Sequence, residues 1–546
     1  MPRGVLLWLV VALTCSSAGV EARHKASTVK KKAVVSASAG TSTSTSTSTS
    51  AAARSAPAPA DSALDKSIKA WLERPEIRHS RVGVEVMDLA SGQVLFQSNG
   101  NKRHTPASTA KILTTACLYD LVGKDFVYKT RLLTNGSVKE DLLNGDLAIE
   151  TSEDPSFSRG DLASLILSLR NFDGGKSGIR LNGIRGKIYQ LSPAGSADNF
   201  HVHWLLEDFG QEWMPVSSSL VVDKNIAFTG GIPSTMKIED GETGMNANLN
   251  AVLDGVLAAD LASAFLLFDE KSQTVKLFRG LAIGPNGKHD AKVHKDGPFV
   301  VGNPTAFNMA LFMNALSESG LNFEHKIYKG EKIPGFLAKQ PAQVMAEHSS
   351  KGLPQLIRLC LYESDNLYAQ QFLRTIAGTR SDGRGNPVKN AKQAQSTMTL
   401  EDRGLARMGE WLSAIAVPNA EVVLFDGCGL SRKNSITPHA LNLVLRYMQK
   451  KHPEYIELMR VSDSKGGGRF HFKTGAMETV RGLSGVLETF EGRKLAVTAL
   501  VNGHTASVKD VRMVLGDLIE RLRRLPLPAQ KAATEQTSKQ AGPEKQ

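Results

Sequence analysis

The feature that most restricts how this chain can fold is where its strand signals stand, close to its two ends. Near the start, "RVGVEVMDLASGQVLFQSN" alternates Val82, Val84 and Val86, turns at "ASG" and resumes at Val94 and Phe96, the pattern of a β-hairpin. Far downstream, "GGRFHFKTG", "RGLSGVLETF" and "KLAVTALVN" supply three more strands, the last two joined by "EGR". A strand's N–H and C=O groups must be paired by neighbours. The two ends are therefore expected to meet in one five-stranded, mostly antiparallel sheet, with everything between them inserted.

Helical periodicity covers residues 354–363, 366–376, 400–415, 437–450 and 506–524. The middle reads differently. Residues 128–338 mix short strand-like runs such as "KTRLLTNG", "NGDLAIET" and "SSLVVDKNIAF" with glycine-rich turns and one clear helix, "PTAFNMALFMNALSES". At 546 residues, 41% hydrophobic and 22% charged, the chain suits a soluble protein of several domains.

The first residues break that composition. Arg3 precedes "GVLLWLVVALT", an apolar run too short to span a bilayer, and small residues follow, so residues 1–22 read as a signal peptide and the protein as exported. Residues 23–60, with "STSTSTSTSAAARSAPAPA", cannot bury enough apolar surface to order themselves and read as a tether; residues 526–546 read as a disordered tail. The net charge of +12 includes "RHKASTVKKK" in the leader, and no aromatic-interleaved basic motif follows, which excludes a nucleic-acid partner. The basic tether suits loose peripheral contact with an anionic envelope. Beyond the leader, Cys117, Cys360 and Cys428 are odd in number and irregularly spaced, the pattern of buried thiols.

Acyl transfer through serine needs a nucleophile, a base, oxyanion donors and groups that hold the substrate. In "TPASTAK", Thr105 is expected to cap a helix with Pro106 in its first turn. Ser108 would then lie at the positive end of the helix, with Lys111 one turn on. A lysine acts as a base only where burial or a neighbouring cation favours its neutral form. Lys473 in "FKTGA" offers that cation, and Gly475 lets a backbone approach closely. In "YESDNLYAQQFL", Ser364 and Asn366 point the same way if the chain is extended there; the competing reading of "SDN" is a helix cap. Each signal alone is weak.

Together, "PASTAK", "ESDNLYAQ", "FDGCGLSRKNSITP", "FKTGAMETVRGLSG" and "NGDLAIETSEDPSF" resemble class C low-molecular-mass penicillin-binding proteins, the D-alanyl-D-alanine carboxypeptidase/endopeptidase family. The resemblance covers residues 62–524. It implies an α/β fold: a penicillin-binding, serine β-lactamase-like transpeptidase domain whose five-stranded antiparallel sheet is flanked by helices and a helical subdomain, with β-rich inserted domains. The catalytic domain would take residues 61–127 and 339–525, accessory domain II residues 128–152 and 305–338, and accessory domain III residues 153–304. It also implies an exported, periplasmic or envelope-located hydrolase acting on peptidoglycan stem peptides through an acyl-enzyme, inhibited by β-lactams, with no metal or cofactor. Ser108 would be acylated, Lys111 would be the general base, and Ser364 would pass a proton to the leaving amine. Asn366 would bind the acyl side of the substrate, Lys473 and Thr474 would hold the terminal carboxylate before Gly475, and the N–H groups of Ser108 and Ala476 would bind the oxyanion. The long gap between Ser108 and Ser364 disfavours a class A β-lactamase. "HWLLEDFGQEWMPVSSS" is similar to the family's stretch of Trp and acids, which implies that Glu207 or Asp208 meets the free amino end of the stem peptide.

The chain departs from the family at Cys428, where serine is usual, at Ala476, where serine or threonine is common, and in "TSEDPSF", which lacks the usual glycines. These departures bear on substrate preference. Cys428 reads as a structural thiol, and His201, His203, His289 and His294 as solvated side chains rather than metal ligands. A second reading of the whole chain is a catalytically weak scaffold that binds cell-wall peptides.

Overall fold

The structure is a computed structural model that describes residues 63–172, 180–193, 196–205, 208, 210–240, 265–278, 281–283, 289–293, 296–324, 326–329, 342–379, 398–464 and 467–524. The expectations for residues 1–22, 23–60 and 526–546, for Glu207 and for His294 lie outside these.

β1 (Arg81–Asp88) and β2 (Val94–Ser98) form the hairpin that the valine alternation predicts. From the far end come β3 (Arg460–Asp463), β4 (Arg469–Met477), β5 (Val480–Glu488) and β6 (Lys494–Asn502). They assemble in the order β2-β1-β6-β5-β4-β3, antiparallel throughout. β1 lies directly against β6, Arg81 opposite Asn502, so the two ends of the chain close the sheet. The sheet has six strands where five were expected. All four residues of β3 are exposed, so no apolar alternation marks it; main-chain pairing with Arg469–Phe472 alone defines it.

The helices of ten residues or more among the described residues, in chain order, are α1 (Ala63–Leu72), α2 (Lys111–Val122), α3 (Arg159–Arg170), α4 (Pro304–Glu318), α5 (Leu353–Glu363), α6 (Asn366–Gly378), α7 (Leu400–Ala414), α8 (Pro438–Lys451) and α9 (Val508–Arg524). α1 and α9 cover one face of the main sheet. Leu64, Ile68 and Trp71 share a face of α1 at helical spacing and join Val84, Val86, Val497, Val514 and Leu518 in one cluster. The Trp71 indole donates to the Val514 carbonyl at 2.7 Å. On the other face, α2 packs with α5, α6, α7 and α8 through Leu113, Cys117, Ile357, Phe372, Met408 and Leu445. Cys117, Cys360 and Cys428 are buried and free, as their irregular spacing predicts. Between the motifs, two five-stranded sheets form. One joins Lys129–Thr134 to Leu147–Glu150 and to Gln343–Ser349; the other centres on Phe265–Asp269 and Thr274–Phe278.

α2 is buried on nearly every side, and its acid is heavily bonded. The Asp120 carboxylate accepts from Trp411 Nε1 (2.9 Å), the Tyr447 hydroxyl (2.9 Å) and His452 Nε2 (2.7 Å), and pairs with Lys451 Nζ (2.7 Å). Burial by itself would raise the Asp120 pKa; the donors, Lys451 first, outweigh it and hold the carboxyl down to about 2. Because the folded pKa lies below the unfolded 3.8, this stabilisation is present above the unfolded value and is lost as pH falls through the folded one. Asp120→Asn is expected to lower stability at neutral pH by about 2 kcal/mol. Urea melts should show that the gap from wild type closes as the acid end of that window is reached.

Candidate active site

Ser108 does not sit in an α-helix. It lies in a single 3₁₀ turn, Ala107–Ala110, that leads into α2, and Ala107 takes a left-handed φ of 47° to make the turn. Thr105 does not cap it. Pro106 holds the cap position, and no side-chain hydrogen bond caps the turn. The Thr105 N–H donates to Asn502 Oδ1 at 2.8 Å and its carbonyl accepts from Asn502 Nδ2 at 3.1 Å, which ties its backbone to β6. The turn is held internally by Thr109, whose hydroxyl donates to the Pro106 carbonyl at 2.7 Å. Two glycines let neighbouring chain close on it. A Cβ at Gly475 of β4 would lie 2.5 Å from the Pro106 oxygen, and one at Gly429 would lie 2.0 Å from the Ala107 oxygen.

Lys111 opens α2 and is fully buried. Its Nζ lies 3.0 Å from Ser108 Oγ, 2.6 Å from Asn366 Oδ1 and 2.7 Å from the Cys428 carbonyl oxygen. Both carbonyl oxygens can only accept. A neutral amine has two N–H groups and one lone pair; with both N–H groups given to the carbonyls, the lone pair is left for the Ser108 hydroxyl. As an ammonium, the same nitrogen donates to all three.

Ser364 and Asn366 are not in extended chain. Ser364 closes α5 with a left-handed φ of 61°, Asp365 caps α6 by accepting from the Tyr368 N–H at 3.1 Å, and Asn366 is the first residue of α6. The tripeptide is thus a joint between two helices that holds both side chains at the site, and the cap reading and the functional one are both realised. Ser364 Oγ accepts from Lys473 Nζ at 2.8 Å, and Lys473 also donates to the Thr474 carbonyl at 2.7 Å. Lys473 is 1% exposed. Burial first, and then the charge of Lys111, lowers its pKa well below 10.5. The hydrogen bonds thus make two groups, Ser108–Lys111–Asn366 and Ser364–Lys473, brought side by side by the joint that carries both Ser364 and Asn366. Along β4, Lys473 and Gly475 face inward while Thr474 and Ala476 are exposed. β3 pairs with β4 only as far as Phe472, so the main-chain edge of Lys473–Met477 is not taken up by a neighbouring strand among the described residues.

Several supporting groups carry little signal in the sequence. Asp426, fully buried, accepts from the N–H groups of Gly429 (2.6 Å) and Ser431 (2.5 Å), from Asn434 Nδ2 (2.9 Å) and from the Trp204 indole (2.9 Å), and so fixes the loop that brings the Cys428 carbonyl to Lys111. The thiol of Cys428 takes no part: burial pushes its pKa well above 9.0. Asn366 Nδ2 donates to the carbonyl of Trp213, and Lys224 pairs with Asp365 at 2.8 Å, tying the inserted segment to the joint between α5 and α6. The one pointer to this loop is "DGCGLS", whose paired glycines mark a close approach. Asp208 lies in a turn five residues before Trp213, its N–H donating to the Leu205 carbonyl at 3.1 Å. His201 is 7% exposed and stacks on Trp204, contrary to the solvated reading, because the aromatic surface beside it is itself buried. Among the described residues, no His, Cys, Asp and Glu group has the arrangement to hold a metal ion.

A model of the D-Ala-D-Ala carboxypeptidase 3 (S13) family matches residues 64–522. The D-alanyl-D-alanine carboxypeptidase DacB of Haemophilus influenzae is 25% identical over 471 residues, covering 82% of this chain and 89% of that protein. A D-alanyl-D-alanine carboxypeptidase of Actinomadura sp. is 25% identical over 469 residues, covering 81% of each. The crystal structure of penicillin binding protein 4 from Haemophilus influenzae superposes with a TM-score of 0.62 at 20% identity, over 83% of this chain and 98% of that one, and shares the fold. On the extent of the family match, the chain belongs to the D-Ala-D-Ala carboxypeptidase 3 (S13) family, whose peptidases are serine-type.

Proposed function

We propose that Ser108 attacks the carbonyl of the penultimate D-alanine of a peptidoglycan stem peptide, with Lys111 taking its proton. The observation that carries this reading is the 3.0 Å contact between Lys111 Nζ and Ser108 Oγ, on an amine whose other two positions face carbonyl oxygens. The C–N bond breaks after a tetrahedral intermediate. Ser364 gives its proton to the leaving amine and takes in return the one Lys111 holds, terminal D-alanine departs, and water then cleaves the Ser108 ester. Lys473 donates to Ser364 Oγ, which leaves the serine's own proton free for that transfer. The N–H groups of Ser108 and Ala476 receive the oxyanion; the close contact at Gly475 supports this pairing.

The open edge of β4 suits an extended peptide, Asn366 meets its acyl side, and Thr474 faces the terminal carboxylate. Asp208, on the segment that also carries Trp213, meets the amino end of the stem. When the leaving amine belongs to a second stem peptide, the same steps perform endopeptidase cleavage. β-Lactams acylate Ser108 as substrate mimics. The inserted residues act as accessory domains around this catalytic region. The site of action is the cell envelope, reached by export; among the described residues no helix is long and apolar enough to cross a membrane.

The test is incubation with labelled penicillin followed by peptide mapping, together with measurement of D-alanine released from a pentapeptide. The expected result is one adduct, on Ser108, and stoichiometric D-alanine release blocked by penicillin pretreatment. An adduct without release would favour the scaffold reading, and no adduct would remove the proposal.

A further inference from the structure

The inserted segment reaches the site at a strained point. Asp223, Lys224 and Asn225 take left-handed φ angles of 48°, 59° and 57° in succession, and none is glycine. Aspartate and asparagine visit that region through their short polar side chains; lysine rarely does. The run is held by its neighbours. Asp223 accepts from the Arg159 N–H of α3 at 3.2 Å and pairs with Arg159 Nε at 2.9 Å. Asn225, fully buried, donates to the Val216 carbonyl at 2.8 Å and accepts from Asn308 Nδ2 of α4 at 2.9 Å. Fixed on both sides, the turn brings the Lys224 ammonium to 2.8 Å from Asp365 and 5.6 Å from the centroid of the Tyr368 ring.

Asp365 stands between Ser364 and Asn366, so the contact lands on the joint that sets both side chains. Lys224 and Trp213 line one cavity of about 340 Å³ together with Ser364 and Asn366. A second hold comes from the Trp213 carbonyl, which takes one Asn366 Nδ2 hydrogen; with Oδ1 on Lys111, this fixes which way the amide faces and leaves one N–H for substrate. Further along α6, Gln371 donates to the Ser218 carbonyl at 2.8 Å and Arg374 pairs with Glu153 at 2.7 Å, both partners belonging to the insert. A half-exposed ion pair adds little to stability, less than a left-handed lysine costs. Strain that stability does not offset marks a working site.

We infer that Lys224 is a positioning residue for catalysis: by holding Asp365 from the inserted segment, it sets where Ser364 meets the leaving amine and where Asn366 turns Lys111 toward Ser108. The inference rests on the acyl-transfer reading above and makes the insert a working part of the site. The two oxygens of Asp365 have separate partners, Oδ1 capping α6 and Oδ2 pairing with Lys224, so the ion pair can be removed while the cap is kept.

The test measures kcat and KM of the full chain for D-alanine release from diacetyl-Lys-D-Ala-D-Ala, together with the thermal midpoint. Lys224→Met is expected to lower kcat about tenfold or more, with KM within about twofold of wild type. Lys224→Gly suits a φ of 59° and removes the same charge, so it should lose as much kcat while its thermal midpoint stays at or above that of wild type. Asp365→Asn keeps an oxygen to cap α6 but drops the ion pair; it should fall as far, and combined with Lys224→Met it should fall no further. A kcat within about twofold of wild type in either Lys224 variant, a loss carried by KM instead, losses that multiply in the double variant, or a lowered midpoint in Lys224→Gly overturns the inference while wild type still releases D-alanine. If wild type neither releases D-alanine nor is labelled by penicillin, the acyl-transfer reading itself fails and takes this inference with it.

Discussion

Lys111→Ala is expected to yield a folded protein whose acylation by labelled penicillin is slower by about a thousandfold or more. The lysine nitrogen lies at hydrogen-bonding distance from Ser108 Oγ, and its remaining positions face Asn366 Oδ1 and the Cys428 carbonyl. Removing it takes away the base and leaves two buried acceptors unpaired, at about 1–3 kcal/mol each. The variant should therefore be less stable as well as slow, and a melt must accompany the kinetics. Lys111→Arg separates the two effects. A guanidinium still donates to both carbonyls but stays charged and has no lone pair to offer, so it should recover stability and remain inactive. Stopped-flow acylation at near-normal rate in either variant would show that another group, with Lys473 and Ser364 next in line, takes the proton.

Lys473→Met is expected to lower turnover at least a hundredfold and, at neutral pH, to raise the thermal midpoint by about 2 °C or more. Burial, followed by the charge of Lys111, holds the Lys473 pKa well below its ordinary 10.5. The unfolded chain keeps the proton more readily than the folded one, so folding bears the whole penalty below the folded pKa. The penalty shrinks as pH rises and vanishes above 10.5. Methionine matches the aliphatic stem in volume and removes the charge. The stabilisation of the variant relative to wild type should therefore be largest at low pH and fade toward alkaline pH. A gap that stays constant across that range would mean that Lys473 is neutral throughout or that packing, not charge, sets the difference.

Several local features are legible in the order of the residues. Ser108 and Lys111 are three residues apart, and a helical turn brings such positions together whatever surrounds them. Val82, Val84 and Val86 declare a strand because alternate residues share one face whatever surrounds them, although in β1 both faces are buried. β3 is silent because its side chains are all exposed, and α1 is faint because it buries only Leu64, Ile68 and Trp71 over ten residues. The cap expected at Thr105 fails for a different reason. Pro106 takes the cap position of a 3₁₀ turn instead, and Asn502, nearly four hundred positions away, holds the Thr105 backbone against β6. Ser364 departs from the extended conformation expected of it because nothing in "SDN" records that one helix ends and another begins there.

What the sequence determined by itself was which chemical groups the chain owns and how those within a turn of each other are arranged, since short-range geometry is fixed by bond lengths and backbone sterics. Only the tertiary structure decided that Lys111 faces two carbonyl oxygens, one from Asn366 and one from the main chain at Cys428, and that Lys224 reaches Asp365 from 141 positions away. Main-chain acceptors carry no residue signature, and a pair so far apart in the chain is made by packing, so neither is written in the succession of side chains.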